Sequence, residues 1–153
     1  MIGSVPTQEL QDIIVGDNNI QDKSNELLGG ELYVYRNIDF NTIDVKNIRT
    51  PHCNIIFGSK TEDDHLVNYS VYIGFSTMLI GNKEDTGVTY DNTDIHLEEV
   101  IALVVKTLKE EMEVGLGDEQ GFEISSTHIE PFVQNGQKDS AFILELEISQ
   151  KIC

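Results

Sequence analysis

A histidine surrounded by acidic residues is the first feature of this chain that could support chemistry. His96 lies in the stretch TDIHLEEVIALVVKTLKEEM, residues 93–112, together with three acids: Asp94, Glu98 and Glu99. Imidazole and carboxylate groups can bind a metal ion or transfer a proton. A zinc pair on a helix, however, needs a second histidine about four residues away, and that position holds Val100. We therefore interpret the stretch as the start of a buried helix and not as a metal site.

The adjacent residues His52 and Cys53 could act as a general base and a nucleophile. They precede a short apolar run that is typical of a strand. Successive residues of a strand point to opposite faces of a sheet, which argues against a direct contact between the imidazole and the thiol.

Two loops resemble ligand-binding loops in composition only. Residues 17–22, DNNIQD, resemble the start of a calcium loop, but Asp22 and Leu28 occupy the positions of the turn glycine and the bidentate glutamate. Residues 115–121, GLGDEQG, are rich in glycine but acidic, and no lysine follows to bind a phosphate. We expect no catalytic residue, no metal and no cofactor, and thus a protein that is not an enzyme.

The spacing of apolar residues predicts the elements that surround these candidates. In 93–112, helical spacing places one apolar face against the protein: Leu97, Val100, Ile101, Val104, Leu108 and Met112. Residues 1–30 predict a helical N-terminal segment, broken near 16–19 and stopped at Gly29. Strand patterns cover five segments: 32–40, 54–57, 66–79, 122–133 and 141–152. Gly58 follows the second of these segments and is expected to end it.

This order of elements predicts a single α+β domain over residues 1–153. Apolar and polar residues alternate in 66–79 and again in 141–152, where Phe142, Leu144, Leu146 and Ile148 are expected to point inward. The alternation in 66–79 favours an antiparallel sheet, and we expect about four to five strands with one long helix packed on it. Residues 81–92 read as an extended loop between a strand and the helix. This connection is long for its place in the fold, so we interpret it as an assembly arm.

The charge of the chain limits its partners. Ten Lys and Arg residues stand against 27 Asp and Glu residues, for a formal net charge of -17 at pH 7. Such a charge repels phosphates and anionic membranes, which argues against a sequence-specific DNA reader. The start, MIGSVPTQEL, lacks a basic region followed by an apolar one, so we expect no signal peptide and a soluble protein of the cytoplasm.

Four stretches together resemble the tail terminator, or tail completion, proteins of long-tailed bacteriophages. They are PHCNIIFG at 51–58, YSVYIGF at 69–75, the helix over 97–112 and SAFILELEI at 140–148. In that family a helical segment precedes a proline-led strand, and a long strand, a helix and a terminal hairpin follow. The likeness is one of order and pattern over about two-thirds of the chain. The chain departs from the pattern at His52 and Cys53, which replace an aromatic–apolar pair, and in its long loop at 81–92.

The resemblance implies a virion protein and no catalysis. It implies a homo-oligomeric ring, typically a hexamer, that caps the tail tube and contacts the tail tube protein and the neck or connector protein. DNA would pass through the ring without specific binding, and the ring would be assembled in the host cytoplasm. Because lysine or arginine would hold DNA in a channel, we expect acids to line it. The candidate residues for lumen and assembly are Asp63, Asp64, Lys83, Glu84 and Asp85.

Other readings of the sequence remain open. Another component of the head–tail neck would share the structural role but occupy a different position. An acidic mimic of DNA could use carboxylates in place of phosphates to inhibit a DNA-binding protein. An enzyme for small molecules has less support, because no convergent catalytic set is visible.

Overall fold

The computed structural model describes residues 6–38, 49–78, 83–85, 88–90, 92–114, 122–131 and 139–151. The elements in chain order are α1 (Thr7–Gly16), α2 (Asn18–Leu28), β1 (Tyr33–Arg36), β2 (His52–Glu62), β3 (Leu66–Met78), β4 (Lys83–Asp85), β5 (Val88–Tyr90), α3 (Thr93–Val114), β6 (Phe122–Pro131) and β7 (Asp139–Lys151). The predicted α+β class is confirmed. Three helices accompany a five-stranded sheet, and a separate two-stranded sheet lies in the predicted loop 81–92.

The main sheet has the strand order β1-β2-β3-β7-β6 and is mixed. β1 pairs with β2 in parallel, whereas the other three pairs are antiparallel. The prediction of an antiparallel sheet therefore holds for four strands and is wrong for β1. The reason is the length of the β1–β2 connection, residues 37–51: a crossover of a dozen or more residues allows a parallel pair, whereas a hairpin does not.

The N-terminal helices begin and end as the sequence predicts. Asp17 separates α1 from α2, and its carboxylate accepts a hydrogen bond of 2.9 Å from the backbone N–H of Ile20. Gly29 then ends α2 in the left-handed conformation with φ 78°, which glycine adopts without steric cost. The carboxylate of Asp17 is thus a helix cap, in agreement with the rejection of a calcium loop.

The core lies between the helices and one face of the sheet, which we call the inner face. The six predicted apolar residues of α3 are each 0–1% exposed. They pack with inner-face residues of β3, namely Val67, Tyr69, Val71, Ile73 and Phe75, and with Leu144, Leu146 and Ile148 of β7. α1 and α2 both contact α3, so the three helices form one layer over the sheet. The predicted helix face and both predicted strand alternations are confirmed.

β2 is longer than the sequence suggests. The prediction that Gly58 ends this strand is wrong, because β2 continues to Glu62 through a bulge between Phe57 and Ser59. A Cβ atom at Gly58 would lie 2.6 Å from Cε2 of Tyr72 and 2.9 Å from the carbonyl oxygen of Ser70. Glycine is needed at the bulge because the Tyr72 ring packs directly against the backbone there.

Candidate interaction surface

His96 lies in the first turn of α3, as predicted. Its backbone N–H donates a hydrogen bond of 3.0 Å to the carbonyl of Asn92, and its ring is half-buried. The Nδ1 atom is buried without a hydrogen-bond partner among the described residues. Within that same part of the chain, no three His, Cys, Asp or Glu side chains lie close enough together to hold a metal ion.

His52 and Cys53 are both buried but do not form a catalytic pair. The His52 ring meets the ring of Tyr35 edge to face at 5.7 Å, and its Nδ1 lies 3.1 Å from the carbonyl oxygen of Arg49. Cys53 belongs to the apolar core on the other face of the strand, opposite Phe75. Burial raises the pKa of the Cys53 thiol, so the nucleophilic thiolate is disfavoured.

Asp63 and Asp64, two of the predicted lumen residues, lie at the turn between β2 and β3. The Asp63 carboxylate accepts hydrogen bonds from the backbone N–H groups of His65, at 2.8 Å, and Leu66, at 2.7 Å. These two bonds lower the pKa of Asp63. Asp63 therefore shapes the turn, whereas Asp64 is exposed and is the better candidate for a purely electrostatic role.

The other predicted candidates, Lys83, Glu84 and Asp85, form β4, which pairs with β5 in the segment predicted to be an extended loop. β4 follows the end of β3 that is farther from Asp63 and Asp64. β3 is 13 residues long, which corresponds to about 40 Å, and the chain from Met78 to Lys83 spans at most about 18 Å. The two groups of candidates are therefore roughly 20 Å or more apart and do not form one cluster.

The face of the main sheet that points away from the helices, here called the outer face, carries exposed apolar side chains that the sequence analysis did not single out. They form a diagonal strip across β2, β3 and β7: Ile56, Tyr72, Ile143, Ala141 and Met78. Ile56 is 42% exposed, Tyr72 38% and Met78 60%. We call these five residues the apolar strip. One sequence signal could have found them, since they alternate with the buried residues of the same strands.

Carboxylates lie along one side of the apolar strip on the outer face. They are Glu123 and Glu130 of β6 and Glu145 and Glu147 of β7, here called the acidic border. Glu145 lies beside Tyr72 in the register of the sheet, and Glu147 accepts a hydrogen bond of 2.7 Å from the Ser70 hydroxyl. Among the side chains described on this face of β2, β3, β6 and β7, none is Lys or Arg.

The edges of the sheet are less suited to binding than its outer face. β6, the edge strand at one side, has a bulge between Ile124 and Ser126 and ends at Pro131. β1 pairs with β2 only as far as Ile55, so the rest of β2 is the other edge of the sheet. That part of β2 contains the Gly58 bulge and places Lys60 on the inner face, across from Tyr69. Bulges, prolines and charges on an inward-pointing face all hinder the addition of another strand. The outer face has no comparable protection.

No protein-family model matches the chain, and no curated protein matches it. No helix in the described part of the chain is both long and apolar enough to cross a membrane.

Proposed function

We propose that this protein is a virion structural protein, the tail terminator of a long-tailed bacteriophage. In this role copies of the chain form a ring at the head-proximal end of the tail tube and join the tail to the neck. The order of elements supports the proposal, since α1 and α2, the proline-led β2, the long β3, α3 and the β6–β7 hairpin follow one another as the resemblance requires.

The observation that carries the proposal is the apolar strip on the outer face. A two-layer domain buries one face of its sheet under helices and can leave the other face to water. Here that face exposes the apolar strip, and neighbouring exposed apolar side chains usually mark a site of contact with other proteins. A subunit between a tail tube protein and a neck protein needs such contact surfaces, whereas an enzyme needs a pocket with converging reactive groups.

The first test is the oligomeric state of the purified protein. We expect light scattering to report a closed oligomer and negative-stain microscopy to show rings with a central channel. Each subunit carries a formal charge of -17, so repulsion between subunits should weaken as salt shortens the Debye length from about 10 Å at 0.1 M to about 3 Å at 1 M. Ring formation should therefore increase with ionic strength. A monomer at every protein and salt concentration would contradict the ring.

The second test concerns the acids predicted to line the channel. Asp64→Lys is a better charge reversal than Asp63→Lys, because the Asp63 carboxylate closes the turn. We expect Asp64→Lys rings to form but particles to deliver DNA poorly, as a lysine collar binds phosphates. Glu26→Lys, an exposed position on α2, makes the same change of charge and should leave delivery unaffected. Normal delivery by the Asp64→Lys particles would refute a role for Asp64 in the lumen.

Two alternatives would give different results. A neck or connector component would also assemble, but antibody labelling of particles would place it away from the end of the tail tube. A DNA mimic would remain small and would compete with DNA for a nuclease or polymerase. The mimic has less support, because the outer face combines its carboxylates with Ile56, Tyr72 and Ile143, whereas the DNA backbone presents charge without apolar side chains.

A further inference from the structure

A gap lies in the middle of the outer face, above Gly74 of β3. A Cβ atom placed on Gly74 would meet no atom within 4 Å. Its neighbours across the sheet are Asn54 of β2, which is buried, and Ile143 of β7, which is half-buried. The gap is therefore open to solvent above a floor of bare backbone, at the centre of the apolar strip.

The Tyr72 ring leaves this gap open. Tyr72 and Gly74 point to the same face of β3, and a ring turned toward Gly74 would cover it. The ring instead lies over Gly58, which is beside Ser70 in the sheet, on the side away from Gly74. Tyr72 thus forms one wall of a depression and Ile143 another, so a side chain from outside can reach the backbone of β3.

The surroundings of the depression define the chemistry of its occupant. Two of its walls, Tyr72 and Ile143, are apolar, whereas Asn54 is polar, so an aliphatic or aromatic side chain would exchange water for apolar contacts on the side of Tyr72 and Ile143. The acidic border lies directly beside these two walls: Glu145 is next to Tyr72, and Glu130 is next to Ile143, in the register of the sheet. A partner with positive charges beside its apolar side chain would pair with these carboxylates.

We propose that the outer face binds a protein partner that inserts an apolar side chain above Gly74 and places Lys or Arg residues against Glu145 and Glu130. A second copy of this chain is a poorer occupant, because face-to-face packing would bring two acidic borders together. The described arginine of this face, Arg49, lies over the Tyr33 ring beside β1, at the opposite edge of the sheet from β6. This inference does not depend on ring formation, so it stands even if the chain does not assemble into rings.

Gly74→Val provides a test that separates binding from folding. Valine is favoured in strands, and its Cβ atom would meet nothing within 4 Å of Gly74, so the variant is expected to fold. The same side chain fills the depression and should exclude the partner. Gly16→Ala is the matched control, since Gly16 at the end of α1 also has nothing within 4 Å of an added Cβ but lies outside the outer face.

The probe is a short peptide in which leucine and phenylalanine alternate with lysine. Two further peptides replace lysine by glutamate or the apolar residues by serine. Titration followed by the backbone amide resonances of Gly74 and Ile143 should show binding of the first peptide only. We expect Gly74→Val to weaken it at least about tenfold and Glu145→Gln to weaken it by a smaller factor that disappears at high salt. Gly16→Ala should bind like the natural protein.

Three results would overturn the proposal. Binding to Gly74→Val with unchanged affinity would show that the depression is not the site. Equal binding of the glutamate peptide would remove the electrostatic part of the argument. Dimerisation of the natural protein that Gly74→Val abolishes, seen by light scattering, would assign the face to a second copy instead. If Gly74→Val does not fold, Gly74→Ala and Glu145→Gln decide the same question.

Discussion

The two faces of the main sheet differ although the same strands build them. Along β3, the inner-face residues Val71, Ile73 and Phe75 are 0–1% exposed, whereas Tyr72 and Met78 on the outer face are 38% and 60% exposed. The helical layer covers the inner face of β3 and β7, and no described element covers the apolar strip in the same way. The inner face stabilises the fold, and the outer face is available for contacts with other molecules.

Charge follows the same division. Among the described side chains, no Asp, Glu, Lys or Arg is buried, and the buried polar side chains are neutral groups such as Asn54, Thr107 and Gln150, together with His52. A buried unpaired charge would cost several kcal/mol, so the acidic composition must be carried by the surface. The carboxylates are therefore excluded from the core, but some of them lie beside the apolar strip, where a partner could neutralise them.

The largest expected effect is that of a charge placed in the core. Val104 of α3 is 0% exposed, so Val104→Asp buries a carboxylate with no partner and should cost about 4 kcal/mol or more of the free energy of unfolding. Ala102→Asp, on the exposed side of the same helix, should change it by less than about 1 kcal/mol. Urea unfolding followed by circular dichroism measures both. Similar losses of the free energy of unfolding in the two variants would show that burial does not determine the cost of the added charge.

A smaller effect should separate the two glycines of the outer face. Gly58→Ala forces a methyl group against the Tyr72 ring and the Ser70 carbonyl and should cost about 1–3 kcal/mol. Gly74→Ala meets no atom and should stabilise the protein by about 0.5–1 kcal/mol, because glycine weakens a strand. Thermal unfolding of the two variants gives the signs directly. A destabilising Gly74→Ala would mean that the depression is closed in solution.

The smallest effect concerns pH and the Asp63 turn. Backbone hydrogen bonds from His65 and Leu66 lower the pKa of Asp63 below the ordinary value of an aspartate side chain. The carboxylate therefore contributes stability above that value, and the contribution is lost as the pH falls through the lowered pKa. Asp63→Asn keeps an oxygen acceptor but cannot titrate, so its melting temperature should fall less than that of the natural protein between about pH 5 and pH 2. Parallel pH profiles would show that the Asp63 bonds do not contribute to stability.

Much of the fold was accessible from local sequence signals. Helical spacing identified the buried face of α3, alternation identified the inner residues of β3 and β7, and Asp17 and Gly29 marked the boundaries of α2. Each signal concerns residues that are neighbours along the chain. The physical cause is that a helix or strand must present one apolar side to the core, whatever it packs against.

Three features of the sheet depend on contacts between residues that are distant in the sequence, and only the tertiary structure shows them. The parallel pairing of β1 with β2, the continuation of β2 past Gly58 and the open space above Gly74 all arise from contacts between separate strands. The sequence shows that Tyr72 and Ile143 alternate with core residues, but not that they stand on either side of the same bare backbone. Register and side-chain direction are set by cross-strand packing, so a surface built from three strands exists only once the sheet has formed.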